Sequence, residues 1–150
     1  MRLTNGFDIS SSALTAQRLR MDIISSNIAN ADTTRAKLVN GKWVPYVRKI
    51  VDMEPKPSSS PFEQMLQGSM RDSTGEGVKV TRIVDDPSPL KQIYNPSHPD
   101  ADGNGFVMMP NVDILKEMVD MISATRSYEA NVTALNASKA MYSKALEIGR

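Results

Sequence analysis

The stretch from Asn111 to Ile148 contains neither Gly nor Pro, although both recur in the residues before it. Pro110 stands immediately ahead of it and Gly149 immediately after. That punctuation predicts one long helix, with Asn111 or Asp113 as N-cap and Gly149 as the stop. At a rise of ~1.5 Å per residue it would run roughly 55 Å. A helix of that length in a chain of 150 residues needs another long element to pack along.

Two stripes run down this segment. Leu115, Met118, Ile122, Thr125, Tyr128, Val132 and Leu135 recur at steps of three and four, an apolar seam of the coiled-coil kind. Ser123, Ser127, Ala130, Ala134 and Ala137 form a second seam, of small residues that let a neighbouring backbone approach. The alternative is a helix buried in its own monomer, with Ala present for helix propensity.

The N-terminus supplies a partner. Phe7, Ser10, Leu14, Gln17, Met21, Ile24 and Ile28 follow the same alternation, and no Gly or Pro interrupts residues 7–30. This predicts a second amphipathic helix of roughly 30 Å, closed near Asn30 and followed by a turn at Asp32, Thr33 and Thr34. The terminal helices are expected to pair, leaving roughly 25 Å of the longer one without a cover from its own chain. Exposed apolar helix surface of that size points to neighbouring subunits.

Composition narrows the function classes. Lys and Arg number 18 against 17 Asp and Glu, so no global charge draws nucleic acid or anionic lipid. The cations of the first fifty residues are scattered rather than run together. The chain has no Cys, which excludes disulfides, thiolate metal sites and thiol catalysis. Arg18, Arg20 and Asp22 interrupt what would be the apolar core of a cleavable leader, and no stretch has transmembrane length. No direct membrane insertion is expected, and export would use a route without leader cleavage.

Between the helices the pattern changes. Trp43, Val44, Tyr46, Val47, Ile50 and Val51 form a β-rich run, held to an edge or a bend by Pro45. Val78, Val80, Ile83 and Val84 form another, and Phe106, Val107 and Met108 a third. Residues 54–61 hold three prolines and three consecutive serines and read as a linker. A helical turn is expected over 62–70, and 85–105 reads as ordered loop. The fold class expected is α+β: two long terminal helices pairing in coiled-coil fashion, with a small central β-rich hairpin or sheet segment. Residues 1–30 and 111–150 would form an axial helical domain, and 31–110 a β-rich region with a flexible linker around 54–77.

Candidate chemistry is sparse. Asp100-Ala101-Asp102-Gly103-Asn104-Gly105 opens like a calcium loop, but its twelfth position is Asn111 rather than a bidentate Glu. Pro96 and Pro99 exclude an entering helix, so a turn is the better account. His98, the single histidine, sits in a Pro-rich loop and makes a poor metal site or acid/base pair. The serines at 58–60 have no neighbouring base, and the glycines match no phosphate loop. Arg126 and Glu129 read as a surface pair. No catalytic, cofactor-binding or metal-binding residues are assigned, and no enzyme is expected.

Ser25-Ser26-Asn27-Ile28-Ala29-Asn30-Ala31, followed by Asp32-Thr33, resembles the N-terminal signature of bacterial flagellar rod and hook proteins. The C-terminal run PNVDILKEMVDMISATRSYEAN, ending in ALEIGR, is similar to the same family, as is the loop from Tyr94 to Asp102. The resemblance covers residues 5–50 and 78–150. It implies a structural subunit of the flagellar basal body that assembles helically and transmits torque from motor to hook. Its location would be the rod in the cell envelope, reached through the flagellar type III export apparatus. Implied partners are further copies of the chain, rod subunits of the FlgB, FlgF and FlgG types, and a FliE-type base adaptor. Matching positions are Asn27, Ile28 and Asn30, then Pro110, Asn111, Val112, Asp113, Met118, Val119, Arg126, Tyr128, Glu129 and Asn131. With Leu14, Met21, Ile24, Ile122, Ala130, Ala134 and Ala137 from the stripes, these are the residues expected to pack subunits. The alternative function is a calcium- or metal-responsive helical adaptor.

Overall fold

The computed structural model describes residues 5–39, 41–56 and 77–148. Helix α1 spans Asn5–Ala29 and helix α2 spans Ile114–Ile148. Between them lie β1 (Lys37–Val39), β2 (Lys42–Val44), β3 (Lys49–Pro55), β4 (Val78–Asp85), β5 (Lys91–Tyr94) and β6 (Phe106–Met109). The strands pair as β1–β2, β3–β4 and β5–β6, each a two-stranded sheet. This is the α+β fold that the sequence implies.

The chain divides into two compact units. The first comprises the described residues of Met1–Arg20, Asp52–Arg82 and Ala124–Arg150, and the second Met21–Val51 and Ile83–Ser123. Each unit contains its own contact between the helices. In the first, the Phe7 and Tyr142 rings meet with centroids 5.4 Å apart. In the second, the buried Asn27 of α1 reaches Glu117 of α2.

On α1 the expected stripe is the inward one. Ser10 and Ile24 are buried, and Phe7, Leu14, Gln17, Met21 and Ile28 half-buried. The helix begins at Asn5 and has 25 residues, so it is longer than its apolar pattern suggested. At its end the Asn30 side chain donates to the Ser26 carbonyl at 2.9 Å, satisfying a last-turn acceptor.

On α2 the inward stripe differs from the expected one. The less exposed positions centre on 117, 121, 124, 128, 131, 135, 138 and 142, at alternating steps of four and three, with half-buried Asp120, Thr125, Ser127 and Val132 beside them. Of the expected seam, Thr125, Tyr128, Val132 and Leu135 are half-buried, but Leu115, Met118 and Ile122 are exposed. The cause is polar: Glu117, not an apolar residue, occupies the inward position of the first turn. The N-cap is Asp113, whose Oδ1 accepts the Leu115 amide at 3.1 Å. Asn111 is not the cap, because its side chain bonds other backbone groups. Gly149, the expected stop, lies outside the described residues.

The strands correct three readings. The run from Trp43 to Val51 is two strands, β2 and β3, separated at Pro45. Pro45 has no N–H to give, and the next amide, Tyr46, donates to Thr33 at 3.0 Å. The segment read as loop over 85–105 contains β5, which pairs antiparallel with β6 from Lys91↔Met109 to Tyr94↔Phe106. Strand β1 was not expected at all; it pairs antiparallel with β2, Leu38 opposite Trp43 and Val39 opposite Lys42. Glu54 and Pro55, read as linker, end β3. The rest of the linker and the helical turn at 62–70 fall outside the described residues.

In the first unit α1 is tied to β4. Ser12 Oγ donates to the Ile9 carbonyl at 2.8 Å and accepts the Val78 amide at 3.1 Å. Gly77 precedes it with φ of 119°, and a side chain there would collide with Ser12 Oγ. Both the left-handed backbone and the close approach therefore require glycine.

Candidate functional site

The second unit is organised around Arg48, which directly precedes β3. Its Nε donates to Glu117 Oε1 at 2.7 Å and its Nη2 lies 2.6 Å from the same oxygen. Its Nη1 reaches Asp86 at 3.1 Å, and Asp120 lies 3.6 Å from Nη2. Glu117 is fully buried, and its second oxygen accepts from Asn27 Nδ2 at 3.0 Å. A buried carboxylate is tolerable only with such partners.

Asn27 completes the hub. Nδ2 also donates to the Lys49 carbonyl at 2.9 Å, while Oδ1 accepts the Tyr46 hydroxyl at 2.9 Å and the Lys49 amide at 3.0 Å. Two donors and two acceptor sites are therefore all used. Asn111 acts likewise: Oδ1 accepts the Arg48 amide at 2.8 Å, and Nδ2 donates to the Ser88 carbonyl at 3.0 Å. Two asparagines thus join the end of α1, the start of β3, the segment after β4 and the approach to α2. A network saturated in this way fixes one arrangement of its elements. Each of these contacts joins one element of the fold to another.

Charge follows from these contacts. Burial works against the Arg48 cation, but hydrogen bonds to Glu117 and Asp86 outweigh it and hold the guanidinium pKa above its usual value. The Asp86 carboxylate is lowered from 3.8 to about 2, first by the Ser88 hydroxyl at 2.6 Å, then by the Ser88 amide and Arg48. Because its folded pKa is depressed, Asp86 stabilises the fold above the pKa of the unfolded chain. That contribution is lost as pH falls through about 2. Urea midpoints measured from about pH 5 to about pH 2 are expected to fall less steeply for Asp86→Asn than for the native chain. Parallel curves would remove Asp86 from the acid response.

The expected packing residues fall into two groups. Ile24, Asn27, Pro110 and Val112 are buried inside the single chain, and Leu14, Met21, Ile28, Asn30, Asn111, Tyr128 and Asn131 are half-buried. Asp113, Met118, Val119, Ile122, Arg126, Glu129, Ala130, Ala134 and Ala137 are exposed. Arg126 and Glu129 pair at 3.0 Å on the surface. Leu115, Met118, Val119 and Ile122 are 76%, 51%, 66% and 61% exposed, and their spacing places them on one face of α2. Scattered exposed apolar residues need no explanation, but a contiguous strip does. All but Met141 and Leu146 of the exposed large apolar side chains among the described residues belong to the second unit.

Sequence reasoning did not find Arg48, Tyr46, Asp86 or Glu117. The signal for Glu117 is its heptad position in line with Met121, Ala124 and Tyr128, where a charge demands a partner. The acidic loop from Asp100 to Gly105 is held by its neighbours. Asp100 is engaged by Thr34 at 2.9 Å and by Arg35 Nε at 2.7 Å. No cluster of three or more metal-ligating side chains occurs among the described residues. Gly105 closes the loop with φ of 77° and donates to the Asp102 carbonyl at 2.7 Å. None of the described helices is long and apolar enough to cross a membrane.

Comparison with known proteins places these features in a family. Residues 7–37 match the model "Flagella basal body rod protein", and residues 104–148 match "Flagellar basal body rod FlgEFG protein C-terminal". The flagellar basal-body rod protein FlgC of Bacillus subtilis is 56% identical over the full length of both chains. The protein of that name from Borreliella burgdorferi is 43% identical, covering 99% of this chain and 98% of its own. The one from Salmonella typhimurium is 41% identical over the whole of both.

Proposed function

Because the chain belongs to the flagellar basal-body rod protein FlgC family and is a structural subunit of the basal-body rod, we propose that the uncovered face of α2 is where it joins that rod. The observation that carries this is the strip Leu115, Met118, Val119 and Ile122, left in water by a helix whose other face is occupied. Covering it stabilises the assembly by about 25 cal/mol for each Å² of apolar surface removed from water. Met118 suits a surface that meets several slightly different neighbours.

Assembly with other flagellar rod components follows from membership of the family. The finer reading is a helical assembly that carries torque from motor to hook. Its neighbours are further copies and rod subunits of the FlgB, FlgF and FlgG types, with a FliE-type adaptor at the base. The flagellar type III export apparatus delivers it. The stiffness such a rod needs comes from close packing, and the saturated hub keeps each second unit in one conformation.

The exposed small residues give the test. Ala130 and Ala134 are exposed in the single chain, so Ala130→Leu with Ala134→Leu leaves monomer stability within about 0.5 kcal/mol. The same pair overpacks a close approach by a neighbouring subunit, at about 1–3 kcal/mol per contact. Motility and the amount of chain in isolated basal bodies should fall while secretion of the subunit persists. Normal swimming by the double variant would overturn the reading.

A further inference from the structure

We propose that a cavity beside the β1–β2 pair holds an acidic segment of a neighbouring rod protein, with carboxylates on Lys37 and Lys49 and an apolar side chain against Val44, Pro45 and Val47. The proposal rests on the reading of the chain as a rod subunit, which supplies the protein neighbour. The cavity has a volume of about 600 Å³, and the residues that line it all belong to the second unit. Pockets on the order of 300–1,000 Å³ bury a ligand of several functional groups, which is more than one small ion fills.

The walls are held by hydrogen bonds within the unit. The Ala36 amide donates to the Val44 carbonyl at 3.0 Å, and the Tyr46 amide to the Thr33 carbonyl at 3.0 Å. Lys37 stands opposite Val44 in the β1–β2 register. The backbone of Lys49 exchanges two hydrogen bonds with the Asn27 side chain, at 2.9 and 3.0 Å, and Tyr46 gives its hydroxyl to the same asparagine. The hub that orders the second unit therefore also sets one wall of the cavity, and little ordering cost remains when a guest enters.

Charge selects the guest. Arg35, Lys37, Lys49 and Asp85 line the cavity. Arg35 is already paired with Asp100. Lys37, Lys49 and Asp85 have no ion-pair partner among the described residues, which leaves two ammonium groups against one carboxylate. Pro45 is buried and Val44, Tyr46 and Val47 are half-buried, and they give the same cavity an apolar side. A hollow with both characters suits a segment in which Asp or Glu adjoins Leu, Ile or Met. A lone phosphate would leave the apolar side wet. Rim charges of this kind fix register and partner choice more than strength. Lysine heads on flexible stems can follow carboxylates at slightly different positions.

Two measurements test the assignment. In the first, purified full-length chain labelled with nitrogen-15 is titrated with a blocked tetrapeptide of two glutamates flanking two leucines. Its glutamine counterpart and inorganic phosphate are titrated at matched ionic strength. The glutamate peptide should move the amide signals of Lys37, Tyr46 and Lys49. Both lysines are exposed, so Lys37→Ala with Lys49→Ala spares the fold and should weaken binding about tenfold. Equal shifts from the glutamine peptide or from phosphate would overturn the assignment, as would no shift at about 10 mM glutamate peptide. In the second, isolated basal bodies are treated with a carbodiimide, which joins an ammonium directly to a carboxylate in contact with it. Lys37 or Lys49 should link to an Asp or Glu of another chain. Lys37→Arg with Lys49→Arg keeps the charge but cannot couple, and should remove those links. Links confined to Asp85 of the same chain, or none from either lysine, would overturn the proposal and leave the rod reading standing. Absence of the native chain from isolated basal bodies would instead overturn the rod reading itself.

Discussion

Arg48→Met is expected to destabilise the second unit by about 3–5 kcal/mol, the cost of leaving a buried charge without its partner. Glu117 is 0% exposed and Arg48 supplies both of its shortest contacts, at 2.6 and 2.7 Å. Without the guanidinium, the carboxylate keeps only the Asn27 amide at 3.0 Å. Met retains much of the aliphatic stem, so the loss measures charge and hydrogen bonds rather than a large cavity. Adding Glu117→Leu should restore most of the stability, since a hydrophobic pair often matches a buried ion pair. Urea unfolding of the two single variants and the double variant gives the coupling directly. A single variant within 1 kcal/mol of the native chain, against the roughly 3–5 kcal/mol stated above, would show that the hub is not what holds this unit.

Leu115→Asp with Val119→Asp should do the opposite: spare the monomer and remove the assembly. Both side chains are mostly exposed, so their replacement changes the stability of the single chain by within about 0.5 kcal/mol each. In a dry interface each new carboxylate loses its hydration without gaining a cation, at several kcal/mol. Rod incorporation and swimming should be lost, with unfolding midpoint and secreted amount close to native. Swimming at the native rate would show that this face stays wet in the rod. A collapse in monomer stability would show that it is covered within the chain.

Elements defined by long patterns were legible in the sequence. Both helices were, since a run without Gly or Pro and a stripe at steps of three and four depend on local geometry. The inward face of α1 was largely legible too: Ser10 and Ile24 of its stripe are buried and the rest half-buried, although buried Ala16 and Asn27 lie outside that stripe. The face of α2 was legible only in its later turns, where Thr125, Tyr128, Val132 and Leu135 are half-buried. In its first turns Leu115, Met118 and Ile122 are exposed, whereas a composition reading assigns apolar residues to the inside. Glu117 looks like surface until its partner 69 residues earlier in the chain is known. Strand β1 was missed because three residues are too short to show alternation, although Asn40-Gly41 between apolar flanks is itself a hairpin signal. Asn111 and Asp113 were both candidate caps, because Asn and Asp both favour that role. Asp113 won since it lies one residue before the helix, while Asn111 answers to Arg48 and Ser88.

The most direct measurement is an electron cryomicroscopy reconstruction of the assembled rod at side-chain detail. Leu115, Val119 and Ile122 should then lie buried against a neighbouring subunit, having been 76%, 66% and 61% exposed in the single chain. If these three side chains still face solvent in the finished rod, the account of how this subunit is joined to its neighbours is contradicted.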